Sequence, residues 1–146
     1  IYTDGGSRGN PGAAGAGAVV TDHTGAVVRE AHRALGVKPN NEAEYQAVIL
    51  GLETIKKAIG KARVAAAKIE IKLDSELVAK QLAGKFQVKE ATLQLLFMKI
   101  WNLRVVTFPS LIFTHIPREK NRRADSLANQ AMDEGDRPLA KNLFSE

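Results

Sequence analysis

Polar and apolar residues alternate in several short stretches of the chain, a pattern typical of strands with one buried face. The alternation is strict at residues 68–73, where Ile69, Ile71 and Leu73 fall on one side. Two further stretches flank His23-Thr24-Gly25, a sequence that indicates a hairpin turn. With a short apolar lead at the beginning of the chain, the predicted strands are residues 1–4, 18–22, 26–31, 68–73 and 111–116, the last ended by Pro117.

Other stretches carry apolar residues three to four positions apart, which is the spacing of one helix face. The first begins at Pro39-Asn40-Asn41 and runs to about Ile59, with Asn41 as the expected N-cap. Its apolar face is formed by Ala43, Ala47, Leu50 and Ile55. Ser75 is expected to cap a short helix that ends near Gly84. The remaining predicted helices are an amphipathic one at residues 89–103 and a last one at residues 121–134.

Glycine and proline dominate residues 5–17, and we expect this segment to be an irregular loop. The element order β-β-β-α-β-α-α-β-α predicts an α/β fold, in which a mixed sheet of three antiparallel strands and then parallel strands has helices on both faces. The length of 146 residues fits one domain with one core. We therefore expect a single domain over residues 1–146, with residues 135–146 as a C-terminal tail that packs on the body or stays mobile.

Composition excludes several classes of protein. The chain has no cysteine, so it has no disulfide framework, thiolate metal site or thiol nucleophile, and we expect a reducing, cytoplasmic setting. No apolar run approaches the roughly 20 residues that a membrane-spanning helix needs, and Asp4 with the following glycines breaks the early apolar stretch, unlike a signal peptide. A net charge of +5 and a pI of about 9.6 are compatible with a polyanionic partner and equally with a merely basic surface.

Four acidic residues fall where the predicted elements meet one edge of the sheet. Asp4 ends the first strand, Asp74 follows the strand at residues 68–73, and Glu44 and Asp125 lie near the beginnings of two helices. Carboxylates held together repel one another unless cations fill the site. Magnesium prefers such oxygen ligands, and two ions roughly 4 Å apart suit phosphodiester hydrolysis. Each acid on its own is equally compatible with a helix cap or a partner of the helix dipole.

Four short motifs extend this observation, because their order and spacing match one enzyme family. They are DGGSRGNPG at residues 4–12, NNEAEY at residues 40–45, LDS at residues 73–75 and NRRAD at residues 121–125. Together they resemble the signatures of type 1 ribonucleases H, and the resemblance covers essentially the whole chain. The shared motifs imply the ribonuclease H-like fold, with a five-stranded mixed sheet.

The resemblance also implies an activity and a set of roles. The enzyme would hydrolyse the RNA strand of an RNA–DNA hybrid with two Mg²⁺ ions, for which Mn²⁺ would substitute, leaving 3′-hydroxyl and 5′-phosphate ends. Asp4 would bridge both ions. Glu44 and Asp74 would hold the ion near the scissile phosphate and leaving group, and Asp125 would hold the ion that activates water.

Further residues are candidates for auxiliary roles. His115 precedes Asp125 by ten residues, where the family often carries a histidine that assists proton transfer or product release. Arg118 is a second candidate, because a guanidinium holds phosphate well. For His115 a structural role is an equally good interpretation. The choice between His115 and Arg118 as the auxiliary residue also stays open. The candidate substrate-binding residues are Gly5, Gly6, Asn10, Asn41 and Arg118.

Two departures from the family pattern concern the grip on the DNA strand. Pro39 stands where many relatives have threonine, and Glu76 stands where some have glutamine. The chain also lacks a lysine-rich insertion and resembles the compact subtype without a basic protrusion, seen in archaea and some bacteria. We therefore expect a monomer that binds the hybrid through its general positive charge, with steep salt dependence and no membrane contact.

Other functions remain to be weighed against a hybrid-specific nuclease. A catalytically silent nucleic-acid-binding module would gain nothing from four acids that repel phosphate. A different nuclease or an integrase would share the architecture, since fold alone does not decide the substrate. The DGGS and NNxAE details favour ribonuclease H, and a metal-free structural domain would leave the acids unexplained.

Overall fold

A single five-stranded sheet with helices against it organises the molecule. The computed structural model describes the backbone of residues 1–144 and the side chains of residues 1–135. In chain order its elements are β1 (Tyr2–Gly9), β2 (Gly12–Thr21), β3 (Val27–Lys38), α1 (Asn40–Ile59), α2 (Lys61–Ala66), β4 (Ile69–Leu73), α3 (Glu76–Leu82), α4 (Ala91–Val106), β5 (Leu111–His115), a 3₁₀ turn (Arg118–Lys120) and α5 (Arg122–Phe144). The strand order is β3-β2-β1-β4-β5.

The pairing of the strands confirms the predicted mixed sheet. Strands β1, β2 and β3 form an antiparallel meander, whereas β4 runs parallel to both β1 and β5. Helix α1 covers one face, where Ala16 and Ala18 pack with Ala47 and Leu50. Helix α5 covers the other face, where Val19 contacts its first turns.

The expectation of an irregular loop at residues 5–17 is wrong. These residues form most of the hairpin of β1 and β2, with Gly9 paired to Gly12 around its turn. Small residues are needed there because both helices lie very close to the sheet. A Cβ on Gly5 would come within 2.1 Å of the Ala43 carbonyl oxygen, and one on Gly17 within 2.4 Å of the Ala124 carbonyl oxygen. Glycine and alanine therefore carry no apolar alternation here, although they form strands.

Several element boundaries also differ from expectation. Strand β3 continues to Lys38, and the short helix α2 has no counterpart among the predicted elements. Helix α1 begins at Asn40 with Pro39 at the cap position, so Asn41 lies in the first turn and the expected N-cap is wrong. Helix α5 continues through residues 135–144, so most of the expected tail is helical, and residues 145–146 lie outside the described part.

Other predictions of local structure are confirmed. The Ser75 hydroxyl accepts a hydrogen bond of 3.2 Å from the Val78 amide and caps α3. All four residues of the predicted apolar face of α1 are buried. The largest buried side chains of this layer include Tyr45, Phe108 and Ile49. The apolar face of α1 thus forms a core with β4 and the neighbouring helices.

Helix α4 is less amphipathic than expected. Leu93 and Ile100 are buried against the core, yet the outward face is also apolar, with Leu95 75% exposed and Met98 and Trp101 about half exposed. No helix among the described residues combines the length and apolarity needed to cross a membrane.

We predict that glycine is required where α5 contacts β2. In Gly17→Ala the new methyl group would overlap the Ala124 carbonyl, and separation of helix from sheet should lower the free energy of unfolding by about 1–3 kcal/mol. Gly6→Ala is the matched control, because its Cβ would meet only the Met132 methyl at 3.6 Å. Denaturant titrations followed by circular dichroism measure both variants. Equal stabilities would contradict the close packing described here.

Candidate active site

Parallel pairing of β1 with β4 brings two of the predicted acids together. Tyr2 is in register with Lys72, so two residues further along each strand Asp4 lies beside Asp74. Asp74 follows the end of β4, whereas Asp4 lies within β1, so the expectation that Asp4 ends the first strand is wrong because β1 continues to Gly9. The proximity is reflected in the charge interaction of Asp74 with Asp4.

The two long helices bring the other two acids from opposite faces of the sheet. Gly5 allows the first turn of α1 to approach β1 so closely that a Cβ there would lie 2.6 Å from the Glu44 amide nitrogen. On the other face, α5 starts at Arg122 and presents Asp125 in its first turn. The four acids share one open cavity of about 430 Å³, which Gly5, Gly6 and Arg118 also line.

The electrostatics of this cavity favour protonation of its central acid. Burial, and then the charges of Asp74, Asp125 and Glu44, raise the pKa of Asp4 from 3.8 to about 8. A hydrogen bond between the carboxyl groups of Asp4 and Asp125 contributes to the same shift. Burial also raises the pKa of Glu44, against a hydrogen bond with Ser75 that lowers it. Without a cation, the cluster therefore favours a proton on Asp4 near neutral pH.

Asn121 holds part of the cluster in place through side-chain hydrogen bonds, a role that the sequence did not reveal. Its buried side-chain amide donates to the Thr3 carbonyl oxygen at 2.9 Å and to an oxygen of Asp74 at 3.0 Å. The residue thus ties the beginning of α5 to β1 and to the end of β4. Its place in the NRRAD motif was the available signal, but the sequence indicated only the start of a helix.

The donor set fits divalent cations. One carboxylate oxygen of Glu44 is buried without a hydrogen-bond partner, and the raised pKa of Asp4 shows negative charge left without compensation. Hard carboxylate oxygens with room for water are what Mg²⁺ and Mn²⁺ prefer. As they stand, however, no three acids or histidines of the described residues converge on one point at ligand distance. An ion held by this set would need Asp4 ionised and the carboxylates closer together.

The other predicted residues are placed unequally. Arg118 borders the cavity, whereas His115 lies at the exposed end of β5 and does not line it. Asn10 accepts a hydrogen bond of 3.1 Å from the Asn40 amide. Asn41 is turned toward Glu90, at the N-terminus of α4. Neither Asn10 nor Asn41 lines the cavity of the four acids.

Asn40 joins the hairpin to α1 at the edge of the cavity. Its side-chain oxygen accepts hydrogen bonds from the Ser7 amide at 2.9 Å and from the Ser7 hydroxyl at 3.0 Å. With the bond from its own amide to Asn10, it holds the tip of β1 against the beginning of the helix. This explains why the DGGS and NNEAE segments lie together, although about 30 residues separate them.

Residues 2–131 of the chain match the reverse transcriptase-like family. A ribonuclease HI of Halobacterium salinarum is 39% identical over 133 residues, covering 91% of this chain and 63% of the relative. A ribonuclease H of Hydrogenovibrio crunogenus is 32% identical and is covered to 94%. The chain belongs to the type 1 ribonuclease H family, in its compact form.

Solved structures agree with this assignment. LC11-RNase H1 in complex with an RNA/DNA hybrid is 45% identical, with a TM-score of 0.87 and coverage of 91% of this chain and 95% of that one. The RNase H1 of the halophilic archaeon Halobacterium salinarum has a TM-score of 0.82 at 38% identity. The bifunctional protein Rv2228c of Mycobacterium tuberculosis is 41% identical, but this chain spans only 35% of its length.

We predict that Asp4→Asn stabilises the metal-free protein. Because the pKa of Asp4 is raised on folding from 3.8 to about 8, its ionisation destabilises the fold progressively as the pH rises through that window. In EDTA at pH 7 the variant should therefore be more stable, on the order of 1–2 kcal/mol after allowance for solvent screening. Thermal unfolding between pH 4 and pH 8 measures the difference, which should grow with pH.

Glu42→Gln is the control for this experiment, since Glu42 lies in the same turn of α1 as Glu44 but outside the cavity. Its stability difference from the unmodified protein should stay nearly constant with pH. A gain for Asp4→Asn that is equally constant would show that the carboxylates do not repel one another.

Proposed function

We propose that this chain is an endonuclease that hydrolyses the RNA strand of RNA–DNA hybrids with two divalent metal ions. The observation that carries the proposal is the cluster of Asp4, Glu44, Asp74 and Asp125 in one open cavity of a type 1 ribonuclease H fold. Relatives named ribonuclease H and a structural relative solved with an RNA/DNA hybrid support the substrate class.

The four acids are the proposed metal ligands. Asp4 would be shared by both ions, Glu44 and Asp74 would serve the ion near the leaving group, and Asp125 would serve the other. Two bound Mg²⁺ ions, or Mn²⁺ in their place, would supply an activated water and stabilise the leaving oxygen, giving 3′-hydroxyl and 5′-phosphate ends. Asp4 would hold the ions as an ionised carboxylate, so the presence of cations would favour loss of its proton.

Contacts with the nucleic acid would come from the rim of the cavity. Gly5, Gly6 and Arg118 line the cavity, and we assign them contacts with the sugar–phosphate chain. Asn10 and Asn41 would contact the groove beside the cavity. A net charge of +5 would supply the remaining attraction, so binding should weaken as salt rises. We propose that the chain acts as a single domain and as a monomer.

The decisive experiment compares labelled RNA–DNA hybrid, duplex RNA and duplex DNA in Mg²⁺ and in EDTA. We expect that only the RNA strand of the hybrid is cleaved, and that it is cleaved in Mg²⁺ but not in EDTA. In Asp4→Asn, cleavage should fall by at least about a thousandfold, while hybrid binding by fluorescence anisotropy stays intact, because the variant removes a metal ligand and not a contact. Hybrid RNA that stays intact with Mg²⁺ or Mn²⁺ would refute the proposal.

Substitutions of the two candidate auxiliary residues, Arg118 and His115, should affect different kinetic constants. Because Arg118 lines the cavity, Arg118→Ala should raise KM about tenfold through loss of a phosphate contact. His115 does not line the cavity, so a lowered kcat in His115→Ala would show that its side chain reaches the product. Steady-state kinetics at several pH values separate them. An unchanged KM for Arg118→Ala would remove that residue from the substrate contacts.

A further inference from the structure

Glu90 carries a negative charge next to Asn41, a proposed substrate-binding residue, and the proposed function gives Glu90 no role. It occupies the N-cap position of α4, where a carboxylate commonly accepts a hydrogen bond from the first turn. Its side chain makes no such bond. Instead, its two oxygens lie 3.3 and 3.4 Å from the side-chain nitrogen of Asn41 in α1, across 49 positions of sequence.

The backbone on both sides of this contact is held in place. The Glu90 carbonyl accepts a bond of 2.9 Å from the Gln94 amide, and the Gln94 side chain donates to the Val88 carbonyl at 2.9 Å. Asn41 belongs to the first turn of α1, three residues before Glu44. Three residues of helix rise about 4.5 Å, so the contact lies about one helical turn from the cluster of acids.

The contact decides which way the Asn41 amide faces. With its nitrogen toward the carboxylate, its oxygen points inward, where it is buried without a hydrogen-bond partner. An amide free to rotate would not keep that arrangement, because a buried unpaired oxygen is costly. A carboxylate accepts hydrogen bonds only, so it selects the nitrogen and rejects the oxygen.

We propose that Glu90 is a positioning residue for substrate recognition, which holds Asn41 so that its second N–H faces the groove as a donor. Acceptors on base edges and sugars of the minor groove are the groups that such a donor fits. The negative charge next to it disfavours a phosphate at the same place. Hence the pair directs Asn41 to sugars and bases instead of to the backbone phosphates. This inference rests on the proposed function, since it concerns binding of the hybrid.

The test is a double-mutant cycle on the full chain, with hybrid affinity measured in EDTA by fluorescence anisotropy and KM and kcat measured in Mg²⁺. Glu90→Ala should weaken hybrid binding about fivefold, the value of one ordinary hydrogen bond, and raise KM while leaving kcat unchanged. Glu90→Gln should retain most of the affinity, because its amide oxygen still accepts from Asn41. In an Asn41→Ala background, Glu90→Ala should cause no further weakening.

Glu42→Ala is the matched control, because it removes the same charge from the first turn of α1 without touching Asn41. If Glu90→Ala and Glu90→Gln both tighten binding as Glu42→Ala does, Glu90 only repels the nucleic acid and the inference is wrong. An equal loss for Glu90→Ala with and without Asn41 would overturn it as well.

A readout independent of activity is the side-chain amide signal of Asn41 in ¹⁵N–¹H spectra of the free protein. Glu90→Ala should shift this signal and make the Asn41 side-chain amide more mobile, whereas Glu42→Ala should do neither. A signal unchanged by Glu90→Ala would refute the positioning role even if the hybrid is cleaved. Conversely, binding without cleavage in the unmodified protein would defeat the proposed function while the cycle still decides the role of Glu90.

Discussion

The close approach of two helices to one hairpin is the constraint on which the rest of this structure depends. Helix α1 lies against Gly5 and α5 against Gly15 and Gly17, at separations that leave no room for a Cβ. The same approach carries Glu44 and Asp125 toward Asp4 from opposite faces of the sheet. Larger residues at these glycines would move the helices outward and the acids apart. The geometry of the cluster is therefore set by packing at some distance from the carboxylates themselves.

Four carboxylates held together repel one another, and the structure offsets this repulsion only in part. The Asn121 amide donates to Asp74, and the carboxyl group of Asp4 shares a hydrogen bond with Asp125. These contacts do not compensate the negative charge that raises the pKa of Asp4, and they leave one oxygen of Glu44 without a hydrogen-bond partner. A site that is poorly satisfied by its own protein is suited to divalent cations, which supply the missing positive charge. The proposed affinity for metal and the raised pKa of Asp4 would thus have one origin.

The surface proposed to bind the hybrid differs from a simple basic surface. Its edge carries Glu90 in contact with Asn41, and Pro39 occupies the cap position of α1, where no side chain donates or accepts a hydrogen bond. The eight residues between α3 and α4 contain only Lys85 and Lys89 as cations. In this compact form, recognition would therefore depend on asparagine and backbone groups, with the net positive charge acting at longer range.

Much of the molecule followed from the sequence alone. Strict alternation identified β4, helical spacing identified α1, and the motifs around Asp4, Glu44, Asp74 and Asp125 indicated a shared site that the structure brings together. The hairpin of β1 and β2 was missed, because residues kept small by the helices on both faces lose the apolar alternation that marks a strand.

The partnerships of Asn121 and Glu90 were decided only in three dimensions. Each joins elements far apart in the chain, and a hydrogen bond between such residues leaves no periodic trace. The raised pKa of Asp4 has the same character, since it arises from burial and from charges on three other elements. Local patterns therefore determined the strands, the helices and the identity of the acids. The tertiary structure determined their distances, their protonation and the residues that hold them, because those depend on contacts that only the folded chain makes.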